Sequence, residues 1–200
     1  MEVNQEDQAS FGHDNDNIIE KLDIAILLNP DNASNYLDRG IAYYEKKQYD
    51  QALMDFNEAV RFDPDNAGAF IYRGIIYYEE EQYDQAIMDY GESIRLDPDN
   101  ANAYLCRAGA YNKIEQHDQA IKDYCEAIRL EPDEAIAYFG RGIAYSNKEQ
   151  YDHAIMDFKE VIRLEPNLAS TYAGIIKQIS NLSIDYVIHK AEYRQTSKLT

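Results

Sequence analysis

Apolar residues recur along this chain at three- and four-residue steps, in short segments separated by polar breaks. In the stretch Ala67–Asn100, Gly74 and Tyr77 fall on one side of a first helix. Asp84 follows the polar break and is the predicted N-cap of a second helix, whose apolar side includes Tyr90. The stretch therefore predicts a helix–turn–helix hairpin with an apolar face that requires a neighbour.

The same plan returns every 34 residues. All the prolines keep this step, at Pro30, Pro64, Pro98, Pro132 and Pro166. A tyrosine series (Tyr43, Tyr77, Tyr111, Tyr145) and an alanine series (Ala52, Ala86, Ala120, Ala154) keep it too. A register shared by several residue types is the signature of a repeat protein.

The aromatic residues of the first helix (Tyr36, Phe70, Tyr104, Tyr138), the glycines (Gly40, Gly74, Gly142) and the closing prolines together resemble the tetratricopeptide repeat (TPR) family. The resemblance covers Ala33 to Leu168 as four repeats. It implies an all-α fold, a right-handed α-solenoid of helix–turn–helix hairpins with capping helices. Ala108 departs from the glycine series in the third repeat, where we expect a slight change in local packing.

The repeat register divides the chain into segments. Residues 1–16 are acidic and poor in apolar side chains, so we expect a disordered tail. Residues 17–31 align with the second helix of a repeat and predict an N-terminal capping helix, a half repeat. The four repeats are 33–66, 67–100, 101–134 and 135–168, followed by a C-terminal capping region over 169–192 and a frayed tail over 193–200.

Two charged series lie sixteen residues apart, one on each helix of the hairpin. Antiparallel helices joined by a short turn bring such places together, and a partly buried arginine requires an acidic partner. We predict four structural pairs: Arg39–Asp55, Arg73–Asp89, Arg107–Asp123 and Arg141–Asp157. The alternative is an arginine series that receives the carboxylate of a ligand.

The formal net charge of −18 argues against binding to nucleic acid or to anionic membranes, because both would be repelled. It indicates either solubility alone or a preference for basic or neutral partners. Cys106 and Cys125 lack the spacing of a disulfide framework or a zinc site, and are expected to be partly buried free thiols rather than redox groups. The start of the chain lacks the basic and apolar regions of a signal peptide, so we expect a soluble cytoplasmic protein.

Candidate catalytic chemistry is absent from the sequence. The histidines (His13, His117, His153, His189) have no spacing with Cys or carboxylates that suits a metal, and no phosphate loop or nucleophile motif occurs. We therefore expect no enzyme activity, no metal and no cofactor.

The resemblance implies a concave groove lined by the first helix of each hairpin. The family's groove places carry Leu37, Asp38, Ile41, Tyr44, Ile71, Tyr72, Ile75, Tyr78, Asn102, Leu105, Asn112, Phe139 and Ile143. The alternative is that the aliphatic members only fill the stack. Family members that clamp a terminal carboxylate hold it with Lys, Asn and Arg, whereas Leu37, Ile41, Tyr72, Asn102 and Cys106 stand at those places here. This difference argues against a co-chaperone that binds the ends of Hsp70 or Hsp90.

The sequence thus predicts a non-catalytic scaffold that binds an apolar or weakly basic peptide of a protein partner, anchored by tyrosines. The alternative is a structural protein that self-associates through its terminal helices, with Ile18, Leu22, Ile176 and Ile179 as contacts. A monomer or a weak homo-oligomer fits both hypotheses.

Overall fold

The computed structural model describes residues 5–170 and 173–179, and no strand occurs among them. The helices are α1 (Gln5–Leu28), α2 (Ala33–Glu45), α3 (Tyr49–Phe62), α4 (Ala67–Glu79), α5 (Tyr83–Leu96), α6 (Ala101–Lys113), α7 (His117–Leu130), α8 (Ala135–Asn147) and α9 (Tyr151–Leu164). A 3₁₀ turn, Pro166–Leu168, follows, and residues 169–170 and 173–179 are helical. None of the described helices is long and apolar enough to cross a membrane.

The chain divides into two compact units between Asp99 and Asn100. In unit 1, α2 pairs with α3 and α4 with α5, while α1 packs on α2 and α3 on α4. In unit 2, α6 pairs with α7 and α8 with α9, and α7 packs on α8. Each hairpin thus covers its apolar face with its own partner helix and with the adjacent hairpin of the same unit.

The glycine of the first helix allows the closest approach within a hairpin. A Cβ added at Gly40 would lie 2.5 Å from the ring of Phe56, and one at Gly74 would lie 2.7 Å from the ring of Tyr90. Real Cβ atoms do not approach so closely, so the aromatic ring occupies the space that a side chain would need. The cost of glycine inside a helix, about 1 kcal/mol, is therefore offset by the buried ring of the partner helix.

The third repeat uses a different arrangement. Ala108 stands at the glycine place and packs in one cluster with Tyr124 and Ala144. Tyr124 instead lies against Gly140 of the following repeat, where an added Cβ would overlap the tyrosine ring. The expected change in packing is thus a shift of the close contact from residue 108 to residue 140.

Asparagine caps most of the first helices. The Asn66 side chain accepts a hydrogen bond from the Ala69 backbone N–H at 3.1 Å, and Asn100 caps α6 in the same way. Asn32 caps α2 by accepting from the Ser34 backbone N–H. Glu134 stands at this place before α8 and makes no side-chain cap.

The starts of the second helices differ from the prediction. The N-cap of α5 is Gln82, and Asp84 lies within the first helical turn, so its prediction as the cap was wrong. The reason is the turn that precedes the helix, which contains a residue with a left-handed backbone and sets the first helical residue at Tyr83. An aspartate in the first turn still stabilises the helix through its dipole.

Helix α1 also begins earlier than the sequence predicts. Residues 1–16 were expected to be disordered and the helix was expected to span 17–31, whereas α1 covers Gln5–Leu28. Asn15 and Ile19 are buried, and the Asp16 carboxylate pairs with the ammonium of Lys46, the residue that follows α2. Once these contacts hold the helix, it continues towards the N-terminus because no proline interrupts it there.

Near the C-terminus, Ile179 is buried in a cluster with Ala154 and Phe158 of α9. Ile175 and Ile176 pack against the same cluster. The described part of the predicted capping region therefore covers α9, and the remainder of that region and the predicted frayed tail lie outside the described residues.

Candidate functional site

The arginine and aspartate series meet within each hairpin. Arg39 donates from Nε to Asp55 Oδ2 at 2.8 Å and from Nη2 to Asp55 Oδ1 at 2.7 Å. The other three predicted pairs have the same bidentate form, with distances of 2.7–2.9 Å. All four aspartates are buried. Two parallel hydrogen bonds are the strongest arrangement of an arginine–carboxylate pair.

These pairs occupy the edge of the guanidinium that would otherwise bind a ligand's carboxylate. The hydrogen bond to Asp55 is the main cause that raises the pKa of Arg39 above its ordinary value. The remaining Nη1 of three arginines is also bonded: Arg39 to Asp23 at 2.6 Å, Arg73 to Asn57 at 3.0 Å and Arg141 to Cys125 Sγ at 3.2 Å. This geometry favours the structural role of the arginines over the ligand-binding alternative.

The predicted groove residues of unit 1 form what we call the unit-1 face, on helices α2 and α4. Its members are Leu37, Asp38, Ile41, Tyr44, Tyr72, Ile75 and Tyr78. All are half-buried except Asp38, which is exposed. A half-buried apolar side chain has one side held by the protein and the other open to solvent, which suits a contact surface. The prediction of Ile71 as a groove residue is corrected, because the residue is only 7 % exposed and leaves little surface for a ligand.

The tyrosine rings of the unit-1 face rest on other aromatic rings. Tyr72 stacks on Phe56 with ring centroids 5.7 Å apart, and Tyr44 stacks on Tyr49 at 5.8 Å. Tyr78 meets Tyr83 edge to face at 5.4 Å. Such contacts fix the orientation of a ring before any ligand arrives, which reduces the entropy lost on binding.

The predicted groove residues of unit 2 are divided between surface and core. Asn102 is exposed and Leu105 is half-buried, and both line a cavity of about 210 Å³ together with Glu131 and Glu134. Phe139 lies 5.9 Å from Phe158, and Ile143 packs against the same cluster. At these places unit 2 carries one aromatic residue, Phe139, where unit 1 carries three tyrosines.

Asn112 holds the third and fourth repeats together. Its Nδ2 donates to Tyr124 Oη at 3.4 Å and to the Gly140 carbonyl at 3.3 Å, and its Oδ1 lies 3.2 Å from His117 Nδ1. These bonds use the amide inside the protein, so Asn112 is a packing residue as the structure places it. Sequence reasoning missed this role, because Ala108, Tyr124 and Gly140 had to be considered together to find it.

Groups that could carry chemistry remain apart in the described part of the chain. No three His, Cys, Asp or Glu side chains are placed to hold a metal ion there. Both cysteines are free, and burial raises the pKa of Cys106 to about 11, which keeps it in the thiol form at neutral pH.

Models of known protein families match residues 42–168 of the chain. A model described as TPR repeat matches residues 42–80, 74–114 and 108–149, and one described as tetratricopeptide repeat matches 135–168. The chain belongs to the tetratricopeptide repeat family. The resemblance seen in the sequence is thereby confirmed, and so is the all-α fold class of TPR hairpins.

Solved structures of TPR proteins share this fold. A crystal structure of MamA matches with a TM-score of 0.74 at 25 % identity, covering 85 % of this chain and 99 % of MamA. YrrB, a TPR protein with an unusual peptide-binding site, matches with a TM-score of 0.71 at 22 % identity, covering 82 % of this chain and 85 % of YrrB. No curated protein matches this chain in sequence.

A TPR structure with a bound peptide is also similar. The first TPR of Spaghetti (RPAP3), bound to the HSP90 peptide SRMEEVD, matches with a TM-score of 0.56 at 28 % identity. The match covers 60 % of this chain and 94 % of that domain. TPR proteins that resemble this chain thus include peptide-binding ones.

Proposed function

We propose that this TPR protein is a non-catalytic scaffold that binds a peptide segment of a partner protein on the unit-1 face. The observation that carries the proposal is the set of three tyrosines whose rings are supported by other aromatic rings and remain half-exposed. Tyrosine is enriched at the energetic centres of protein interfaces because it adds a large contact area at a small entropic cost.

The partner segment that fits this face is apolar or weakly basic. Asp38 on the face and Glu79 at its edge are exposed carboxylates, and the whole chain carries a net charge of −18. A basic segment would be attracted, while an acidic one would be repelled.

The same chemistry argues against an acidic ligand such as the peptide bound by Spaghetti. The places of a carboxylate clamp hold Leu37, Ile41, Tyr72, Asn102 and Cys106, and none of these carries a positive charge. Taking a carboxylate out of water without a cationic partner is unfavourable. The proposal therefore excludes a carboxylate-clamp co-chaperone. It places the protein in the cytoplasm, because two free thiols suit a reducing compartment.

The test is a pull-down from native lysate with the full chain and with a Tyr44→Ala/Tyr78→Ala variant, quantified by mass spectrometry. Tyr72 is left intact because it stacks on the buried Phe56. We expect the variant to lose a captured partner by about tenfold or more, since two interface tyrosines contribute at least about 1.4 kcal/mol.

The matched control is Met54→Ala/Met88→Ala, which changes two exposed side chains on the second helices of the same unit. Its captured partners should be those of the unaltered chain, and circular dichroism should show the same helix content in all three proteins. A partner kept equally by the tyrosine variant would place binding elsewhere and refute the proposal.

A further inference from the structure

The second helices of the four repeats, α3, α5, α7 and α9, each carry an ion pair on their outer surface. Helix α1 carries apolar residues at the same two positions. In the four repeats this surface holds Glu58–Arg61, Glu92–Arg95, Glu126–Arg129 and Glu160–Arg163, with the arginine Nε 2.7–3.0 Å from the carboxylate. The register of 34 residues places Ile24 and Leu27 at the corresponding positions of α1. The N-terminal helix therefore departs from the surface pattern at both members of the pair.

Ile24 and Leu27 are two of several exposed apolar side chains on α1. Ile24 is 60 % exposed, Leu27 81 % and Leu28 79 %, and Ile18 lies one to three turns further towards the N-terminus. The opposite side of α1 is already used, because Ile19 is buried and Ile26 packs against Tyr36. Residues 24–28 are all apolar, so the last turn of α1 carries apolar side chains on every side, and such a surface is normally covered. We call Ile18, Ile24, Leu27 and Leu28 the α1 outer face.

The charges around the α1 outer face favour an occupant with positive charge. The exposed carboxylates of Asp14 and Glu20 lie on α1 and that of Asp31 follows the helix, and Lys21 is the only base between residues 14 and 31. A second α1 helix would bring the same acids together and be repelled. A segment that combines apolar and basic side chains is complementary in both respects.

The chain contains such a segment. Residues 182–200 include the aliphatic side chains Ile184, Val187 and Ile188 and the bases Lys190, Arg194 and Lys198. Two acids, Asp185 and Glu192, leave a formal charge of +1 in a chain whose total is −18. The aliphatic and basic residues recur at three- and four-residue steps along the sequence, so both kinds are distributed through the segment.

We propose that the α1 outer face of one copy binds residues 182–200 of a second copy. Each copy then presents one acceptor and one donor surface, and the contact is of the head-to-tail kind that extends into chains or rings. The sequence predicted self-association through Ile18, Leu22, Ile176 and Ile179. In the structure Ile176 and Ile179 pack within unit 2, and Ile24, Leu27 and Leu28 are exposed on α1 together with Ile18.

Two variants of the full chain test the two surfaces separately. The double variant Ile24→Glu/Leu27→Arg introduces the ion pair found at these positions in all four repeats, so it replaces the centre of the α1 outer face by residues that the other second helices carry. The triple variant Lys190→Glu/Arg194→Glu/Lys198→Glu reverses the charge of the donor segment. Light scattering over about 1 µM to 1 mM reports the mass of each protein.

We expect the mass of the unaltered chain to rise with concentration above the 23.1 kDa of one chain, and to fall again when salt is added. Each variant alone should remain at the mass of one chain, with an affinity reduced tenfold or more. An equimolar mixture of the two variants should recover a dimer, because one supplies an intact donor and the other an intact α1 outer face.

The mixing experiment separates this proposal from its competitors. Association that survives in the triple variant would indicate contact between α1 helices and overturn the proposal. An unaltered chain that stays monomeric, or a mixture that stays monomeric, would overturn it as well. The Met88→Glu variant, which adds an acid at an exposed place on α5, is the control and should associate like the unaltered chain. Because the unit-1 face takes no part, these outcomes do not depend on the proposed peptide binding.

Discussion

Tyr124 illustrates how a single buried Cβ, that of Ala108, changes the packing of a repeat. Gly40, Gly74 and Gly142 each face the aromatic ring of their own hairpin, whereas Ala108 adds a methyl group at this place. The ring of Tyr124 lies against Gly140 instead, and Asn112 bonds to both. The substitution at 108 and the glycine at 140 are therefore parts of one arrangement.

This arrangement predicts an energetic coupling between residues 108 and 140. Gly140→Ala should reduce the free energy of unfolding by about 1–2 kcal/mol, because overpacking against Tyr124 outweighs the better helix propensity of alanine. In an Ala108→Gly background, where the ring regains space in its own hairpin, the same change should cost at least about 1 kcal/mol less. Urea unfolding of the four proteins measures the coupling; additive effects would contradict the shared space.

The arginine–aspartate pairs were within reach of sequence reasoning, but the status of Ile71 was not. A separation of sixteen residues across a hairpin determines which helices meet, so pairs such as Arg73–Asp89 follow from the register alone. Whether a first-helix residue faces a neighbour or solvent depends on small rotations that the register does not encode. Ile71 and Tyr72 are adjacent in sequence, yet one is buried and the other is half-exposed.

At the scale of elements, the turns inside the hairpins repeat as closely as the helices do. Each contains one residue with a left-handed backbone: Lys47, Glu81, Glu115 and Glu149, with φ of 57–60°. Their N–H groups bond to carbonyl oxygens in the last turn of the first helix, as in Glu115 N–H to Asn112 O at 3.2 Å. None of the four is glycine, so each carries the steric cost of this conformation.

Replacing such a residue by glycine should therefore stabilise the protein. We expect Glu115→Gly to raise the free energy of unfolding by about 0.5–1 kcal/mol, since relief of the Cβ clash exceeds the added freedom of the unfolded chain. Glu115→Ala is the matched control and should change little, because alanine keeps the Cβ. Thermal and urea unfolding would show the difference, and equal stability of the two variants would argue against strain at this turn.

The limits of the elements were predicted less well than their existence. The second helices follow from apolar spacing, but Asp84 was predicted as the N-cap of α5 although it lies within the helix. The residue that fixes the helix start, Glu81, has a left-handed backbone that a glutamate does not reveal in the sequence. The start of α1 was placed too late because its acidic composition suggested disorder, while the buried contacts of Asn15 and Ile19 favour helix. Local composition could not reveal these tertiary contacts.

At the scale of the whole molecule, the dominant electrostatic feature is the excess of acids. The chain holds 37 acidic and 19 basic residues. The bidentate pairs and the exposed Glu–Arg pairs use many of the bases, so most remaining surface charge is negative. Repulsion among these charges opposes the compact state, whereas each exposed pair contributes only about 0.2–0.5 kcal/mol.

Moderate salt should consequently stabilise this protein. Raising NaCl from about 10 mM to 150 mM shortens the screening length from about 30 Å to 8 Å. We expect Tm at pH 7 to rise by about 2–4 °C for each kcal/mol of repulsion removed. Near pH 4.5, the isoelectric point, the net charge approaches zero and the salt effect should vanish. A fall of Tm with salt at pH 7 would mean that ion pairs outweigh repulsion.

Each bidentate pair joins two residues of the same hairpin, and this has a consequence for how the number of repeats can change during evolution. Arg39 and Asp55, like the three pairs after them, lie within one repeat of 34 residues and are duplicated or lost together. Duplication or loss of one repeat therefore leaves no buried carboxylate without its guanidinium. An unpaired buried carboxylate would cost about 3–5 kcal/mol. Only the third hydrogen bond of the arginine, from Nη1, reaches the preceding repeat or half repeat. Residues as different as Asp23, Asn57 and Cys125 accept that bond. The repeat number can thus change by recombination while the gene product still folds.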